Sequence, residues 1–223
     1  MAGSSRQDTI FPGMPARESP GPSMTGALPA LSHEQRAVLL SNARQAVRNS
    51  VCGTPEPNPL PEDPVLRAPG AAFVTIMYKG KLRGCIGFVE PIKPLAEVVA
   101  HCAAAAATAD PRFPPVTPVE LPHIHVEVSI LSPLRQIRDP HEIQVGVHGL
   151  FISQTGHHGL LLPQVATEFG WNRETFLLQT CLKAGLPGDA WKHGAGIHIF
   201  SVDHFADTVP VDLNAHSIDL GGT

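Results

Sequence analysis

The chain has 223 residues, 43% hydrophobic and 16% charged, a balance that suits a globular core and excludes a disordered chain. Sixteen Lys and Arg stand against 20 Asp and Glu, a formal net charge of -4, and aromatic residues make up only 5%. A dedicated nucleic-acid binder carries a basic excess and a base-stacking platform, and neither is supplied here. Four cysteines, Cys52, Cys85, Cys102 and Cys181, form no Cys-x-x-Cys pair, which argues against a structural zinc site. Free thiols in a soluble, reducing, cytoplasmic setting fit best. No apolar run approaches the roughly 20 residues needed to span a bilayer, so no membrane association is expected. No charged start followed by an apolar run marks a signal peptide.

Residues 1–27 are rich in Gly, Pro and Ser without periodicity and read as a flexible leader. Ser32 then reads as a helix N-cap, with Glu34 and Gln35 in the first turn. Ala37, Val38, Leu39, Leu40, Ala43, Ala46 and Val47 supply its apolar stripe, and the helix is expected to end near Ser50, before Gly53. Thr54 to Pro69 holds six prolines and is expected to be a long loop without regular helix, either a surface wrap or a lid.

Ala72 to Tyr78 and Leu82 to Val89 are two β-rich runs joined by Lys79-Gly80-Lys81, the pattern of a β-hairpin. Strict alternation places Leu82, Gly84, Ile86 and Phe88 on one face of the second strand. Arg83, Cys85, Gly87 and Val89 fall on the other. Gly84 and Gly87 inside a strand mark a bulge or a close approach of backbone or ligand. An Arg beside a Cys favours the thiolate, the nucleophilic and metal-binding form. The alternative is that Cys85 is a small buried hydrophobe and the glycines serve packing.

Pro94 opens a second helix through Leu95, Val98, Val99, Cys102 and the small residues Ala103 to Ala107. Asp110 follows at its C-terminal end, where the helix dipole disfavours a carboxylate. It therefore either has a specific partner, Arg112 or Arg83, or simply caps the turn before Pro111. His123, His125, Glu127 and Ser129 alternate with Ile124, Val126, Val128 and Ile130 in a period-two strand. Its polar face is either a solvated surface or a weakly specified His123-His125-Glu127 metal set. Gln144 to Gly149, Leu150 to Gln154 and His158 to Leu162 read as short strands, with Gly156 in a turn and His148 fixing another. Pro163 starts a short helix, and Asn172 caps a longer one from Arg173 to Ala184 that places Cys181 in the core or, alternatively, near Cys85 as a resolving thiol. Ile197 to Phe205 reads as one closing strand, and a loose tail is expected from Val209. Runs of antiparallel strands with inserted helices indicate an α+β domain. No phosphate loop, Walker motif or nucleophile elbow is present.

Leu82-Arg83-Gly84-Cys85-Ile86-Gly87 resembles the signature hexapeptide of the AMMECR family, also called protein A of the AmmeMemoRadiSam system. Asp110-Pro111-Arg112-Phe113-Pro114-Pro115, Glu120-Leu121-Pro122 and the segment Val126 to Pro133 resemble its following landmarks in the same order. So do Val145 to Gly149, Leu161 to Ala166 and Trp171. The likeness runs from about Leu31 to Asp207. It implies an α+β fold with a largely antiparallel, open or barrel-like sheet, flanking helices and two lobes forming a cleft. The domain is expected over residues 28–208, with a tail at 209–223. Prokaryotic members of the family travel with a Memo-type partner and a radical-SAM protein.

Two functional readings follow. In the first, a cleft gathers Cys85, Arg83, Asp110, Arg112 and Glu127 around a small anionic molecule or nucleotide. Cys85 is the nucleophile or a thiolate ligand, Arg83 lowers its pKa and binds the anion, and Gly84, Gly87 and Arg112 complete the substrate site. Asp110 or Glu127 moves a proton or orients an arginine. In the second, the hexapeptide is scaffold and recognition surface of a binding or adaptor module. The residues name no cofactor.

Overall fold

Capping chemistry opens the first helix. The Ser32 hydroxyl accepts from Gln35 N at 3.2 Å while the Gln35 side chain accepts from Ser32 N at 2.9 Å, a reciprocal capping box. Helix α1 then runs from His33 to Cys52 and stops at Gly53, which takes the left-handed conformation that a helix terminus favours for glycine. A computed structural model describes residues 28, 30–54 and 60–207, so the expected leader and tail lie outside the described residues.

The proline-rich segment was expected to lack helix, yet Pro64–Arg67 forms one turn, α2. Asp63 caps it, accepting from Val65 N and Leu66 N, and Pro64 sits at the first helical position, where its missing N–H costs nothing. Leu66 is buried under the turn and ties it to the core.

Strands β1 (Pro69–Tyr78) and β2 (Lys81–Pro94) form the hairpin, turning through Lys79 and Gly80, both at positive φ. Helix α3 (Leu95–Thr108) follows. Next come β3 (Ile124–Leu131) and β4 (Arg135–Ile137). The segment Gln144 to His148, expected as a strand, is a turn: Gly146 has positive φ and the His148 ring accepts from Gln144 N at 3.2 Å. The remaining elements are β5 (Gly149–Gln154), β6 (His157–Leu161), α4 (Pro163–Glu168) and α5 (Arg173–Lys183). Strands β7 (Gly196–Phe200) and β8 (Val202–Ala206) close the described chain.

The strands form two antiparallel sheets of four, in the orders β2-β1-β3-β8 and β4-β7-β5-β6, with no closed barrel among the described residues. The single closing strand expected at Ile197 to Phe205 is two strands in different sheets, broken at Ser201. The chain crosses between sheets twice, at Ser132 and Ser201, and the two crossings bond to each other: Ser132 N donates to Ser201 O and Ser201 N donates to Ser132 Oγ, both at 3.0 Å.

Each sheet has its own core. The outer face of the first sheet packs Val74, Ile76, Ile86, Val126 and Val128 against α1 and α3. The second sheet packs Leu150, Ile152, Ile197 and Ile199 against α4 and α5 through Ala166, Phe176 and Cys181. The inner faces meet along a seam of Ala71, Phe73, Val89, Leu131, Leu160 and Phe200, and Cys85 packs at its margin. No helix among the described residues is long and apolar enough to cross a membrane.

The alanine run of α3 lets the helix approach the first sheet closely, and Gly84 completes the fit. A Cβ at Gly84 would clash with the Ala106 carbonyl, which belongs to helix backbone and cannot swing aside. Gly84→Ala is expected to lower stability by about 3 kcal/mol, near the upper end of overpacking costs, measured by urea unfolding. An unchanged midpoint would show that α3 does not rest on this residue.

Candidate functional site

Register across the first sheet decides what surrounds Cys85. Ile76 faces Gly84 but Met77 faces Leu82, so Arg83 is the extra residue of a β-bulge. The strict alternation expected for β2 therefore fails at Arg83, while Gly84, Ile86 and Phe88 keep the outer face and Cys85, Gly87 and Val89 the inner one. Thr75 faces Cys85 on one side and Glu127 on the other. Directly opposed residues point to the same face. Cys85, Thr75 and Glu127 thus form a cross-strand row on the inner face, and the Thr75 hydroxyl donates to the Cys85 sulfur at 3.3 Å.

Strand β2 is an edge, and the main chain of Cys85 points away from the sheet. Asp110 and Arg112 take the place of a neighbouring strand. The Asp110 carboxylate accepts from Cys85 N at 2.9 Å, and Arg112 Nη2 donates to Cys85 O at 3.2 Å. The two side chains also pair with each other, Arg112 Nη2 to Asp110 Oδ2 at 2.7 Å and Nε to Oδ1 at 3.0 Å. Asp110 is 3% exposed. Burial pushes its carboxyl up, but the Arg112 guanidinium and the Cys85 and Arg112 amides outweigh it and hold the carboxyl below its usual range. Of the partners expected for Asp110, the structure selects Arg112.

Arg83 does not act on Cys85 as expected. The bulge turns it to the loop after α3, where Nε and Nη2 donate to Glu120 at 2.8 and 3.2 Å. Nη1 and Nη2 also donate to the carbonyls of Pro114 and Pro115 at 2.6 and 3.0 Å. These bonds commit the guanidinium to the loop. The Cys85 thiol is in turn pushed up by burial, not lowered; Thr75, Arg112 and Lys183 pull it down in part, and Asp110 adds to the rise. Gly84 and Gly87 also have packing reasons. The space beside Gly84 is filled by α3, and a Cβ at Gly87 would strike the Phe73 ring.

The other proposed ligands separate. His123 lies in a 3₁₀ turn, Leu121–His123, ahead of the strand, and His125 Nδ1 pairs with Asp207 at 3.4 Å. Among the described residues no group of three His, Cys, Asp or Glu side chains could hold a metal ion. Cys181 is fully buried in the second core, not beside Cys85. All four cysteines are free thiols. Glu127 is half-buried, and among the described residues no hydrogen bond or ion pair engages its side chain. Lys183, the last residue of α5, carries a buried Nζ. Thr75 and Glu120 were missed from sequence, since only the bulge and the tertiary fold bring them to the site. A surface cavity lined by Leu178, Trp191 and Lys192 lies elsewhere, on α5.

The family model described as AMMECR1 matches residues 40–205. The chain belongs to the AMMECR1 family. A protein of Methanothermobacter thermautotrophicus is 46% identical over 170 residues, covering 72% of this chain and 88% of its own length. One from Thermofilum pendens is 44% identical over 199 residues, covering 81% and 93%. The crystal structure of an uncharacterized protein from Pyrococcus horikoshii superposes with a TM-score of 0.72 at 39% identity, covering 77% of this chain and 91% of that one. The AMMECR1 match encloses both the Cys85 row and the Asp110–Arg112 clamp.

The Arg83–Glu120 pair makes a prediction about acid stability. The Arg83 hydrogen bonds, with Thr117 N–H and O–H, outweigh desolvation and bring the Glu120 carboxyl from 4.5 down to about 2. A carboxyl with a depressed folded-state pKa stabilises fully above its unfolded value, and that contribution drains as pH falls toward the folded one. Urea unfolding of the native chain and of Glu120→Gln from pH 6 to pH 2 is therefore expected to show a stability gap that narrows below about pH 4.5. A gap constant across that range would contradict the ion pair.

Proposed function

We propose that this AMMECR1-family chain is a thiol-centred enzyme acting on a small anionic molecule or nucleotide, with Cys85 as nucleophile and Glu127 as proton acceptor. The supporting observation is the row Cys85, Thr75, Glu127 on one face of three adjacent strands. Opposed residues in such a row stand roughly 5 Å apart, so the Cβ atoms of Cys85 and Glu127 lie about 10 Å apart with Thr75 between them. That spacing accommodates a substrate atom or a water between them. The S–H bond breaks and its proton passes through a bridging water to the Glu127 carboxylate, while the sulfur electron pair adds to an unsaturated electrophilic carbon of the substrate, whose π pair moves onto its heteroatom. Burial keeps the resting thiol protonated, so proton removal is coupled to the reaction. Asp110 and Arg112 position the Cys85 main chain. Memo-type and radical-SAM proteins, implied by the family resemblance, would supply or consume the substrate in a shared cytoplasmic pathway.

A specific observation favours a second reading. Arg83, Gly84 and Gly87 are engaged in scaffold contacts, as a non-catalytic binding or adaptor module would require.

Alkylation of Cys85 by iodoacetamide separates the two. Cys102 and Cys181 are fully buried, so only the exposed Cys52 needs replacement by Ser. Removing a negative charge would by itself ease thiolate formation and speed alkylation. Loss of a proton acceptor does the opposite. Glu127→Gln is expected to slow alkylation at neutral pH roughly tenfold or more, within the range of general-base contributions. A rate unchanged or raised would overturn the enzymatic reading and leave the binding module.

A further inference from the structure

The inner face of the second sheet carries polar and aromatic side chains that the thiol-centred reading leaves unused. Leu150, Ile152, Ile197 and Ile199 take the outer face against the helices, so the alternate residues of β5, β6 and β7 point inward. Two cross-strand rows result. Phe151 stands between His198 and Leu160, and Ser153 between Gly196 and His158. The first row lies at the seam: Leu160 belongs to it, and Phe151 packs against it as Cys85 does from the first sheet. The second row is more open, with Gly196, Ser153 and His158 all half-buried.

Aromatic rings join the two rows. Phe151 and His158 stack with 6.1 Å between centroids and 24° between planes, and Phe151 meets His198 edge-on at 5.7 Å and 69°. Gly196 leaves a gap beside them. A Cβ there would stand 3.4 Å from Ser153 Oγ and 3.5 Å from His198 Cε1, the carbon between the two ring nitrogens. Among the described residues no hydrogen bond engages the Ser153 hydroxyl. His198 is only 6% exposed, yet its Nδ1 is buried without a hydrogen-bond partner. A buried polar atom left unpaired is destabilising, and a bound molecule that pairs with it offsets that loss. Burial lowers the His198 pKa and the Phe151 main chain counters this only in part, so the neutral ring presents one donor and one acceptor.

Resting on the thiol-centred reading above, we infer that this face binds the substrate's planar nitrogen heterocycle, the base of a nucleotide. Phe151 and His158 supply ring surface, and Ser153 Oγ and His198 Nδ1 pair with the edge of the base. A small saturated anion would use neither the stacked rings nor a neutral imidazole. A heterocycle uses both: its π-face stacks on aromatic side chains, and its edge carries donors and acceptors that a hydroxyl and an imidazole match. The cluster suits a single base rather than a strand, in keeping with the acidic balance of the chain. Held against Phe151, the base lies at the seam that Cys85 also packs. A ring carbon doubly bonded to nitrogen is an unsaturated electrophilic carbon of the kind the thiol requires.

The test is isothermal titration calorimetry of the full chain with adenosine, guanosine, cytidine and uridine monophosphates, and with ribose 5-phosphate, which keeps the anion and lacks the base. At least one nucleotide is expected to bind roughly tenfold more tightly than ribose 5-phosphate, within the range of base–aromatic stacking. Gly196 has no positive φ and its Cβ would make ordinary contacts, so Gly196→Ala fills the gap with a methyl that the fold tolerates. That variant is expected to weaken the nucleotide roughly tenfold and to leave ribose 5-phosphate and the urea midpoint unchanged. Ser153→Ala, which removes one oxygen, is expected to weaken the nucleotide roughly fivefold, and it decides the matter if Gly196→Ala moves the midpoint. Ribose 5-phosphate binding as tightly as every nucleotide, no nucleotide binding at millimolar concentration, or undiminished binding in a stably folded Gly196→Ala overturns the inference. Equilibrium binding needs neither the thiol nor Glu127, so the two proposals fail separately. Nucleotide binding weakened by Gly196→Ala alongside an unslowed Glu127→Gln sustains the base site and removes the proton acceptor. A slowed Glu127→Gln without nucleotide binding sustains the thiol-centred reading and overturns the base site.

Discussion

The clamp of Asp110 and Arg112 on the Cys85 main chain is the interaction from which the geometry of the site follows. An edge strand exposes unpaired N–H and C=O groups, which are costly when buried and adhesive when not. Here a carboxylate and a guanidinium satisfy one N–H and one C=O of the same residue and bond to each other as well. Charge-assisted bonds of this kind are stronger and more directional than neutral ones. They tie the loop after α3 to the hairpin exactly one residue after the glycine on which α3 rests. Backbone position, helix approach and loop path are thereby set together, and the thiol is left to face the seam.

The hexapeptide divides its labour in an unexpected way. Arg83 holds the loop, Gly84 admits α3, Gly87 admits the Phe73 ring, and Ile86 fills the first core. Cys85 is the one side chain of the hexapeptide on the inner face, since Gly87 beside it has none. The groups able to act on it chemically come from elsewhere: Thr75 and Glu127 along the register of the first sheet, Asp110 and Arg112 from the loop after α3. The mutual hydrogen bonds of Ser132 and Ser201, where the chain changes sheets, hold the two halves in relation. A thiol placed in this way is raised by burial and depends on its neighbours to become reactive.

Much of the fold was legible because it rests on local chemistry. Ser32, Gly53, Asn172 and Gly80 mark their helix ends and turn through side-chain caps and positive φ, which depend on few residues. The split of the closing strand at Ser201 was not legible, because Ile197 to Phe205 keeps an uninterrupted β-rich pattern and only pairing with two different sheets divides it. The bulge had the larger effect on the site. Counting from the Lys79–Gly80 turn without it would set Thr75 opposite Gly84 and leave Arg83 in the ladder; with it, Thr75 meets Cys85 and Arg83 departs for Glu120. Asp110 was singled out correctly by its misfit with the helix dipole, since a carboxylate at that end needs a compensating partner.

Amide hydrogen exchange at Cys85 tests the clamp most directly. As an edge-strand amide without a neighbouring strand it should exchange readily, unless Asp110 holds it. The Cys85 amide is expected to be protected in the native chain, and in Asp110→Ala to lose that protection while Ile86, which faces Val74 inside the hairpin, keeps its own. Fast exchange at Cys85 in the native chain, or protection that survives Asp110→Ala, would contradict the claim that this carboxylate sets the position of the thiol.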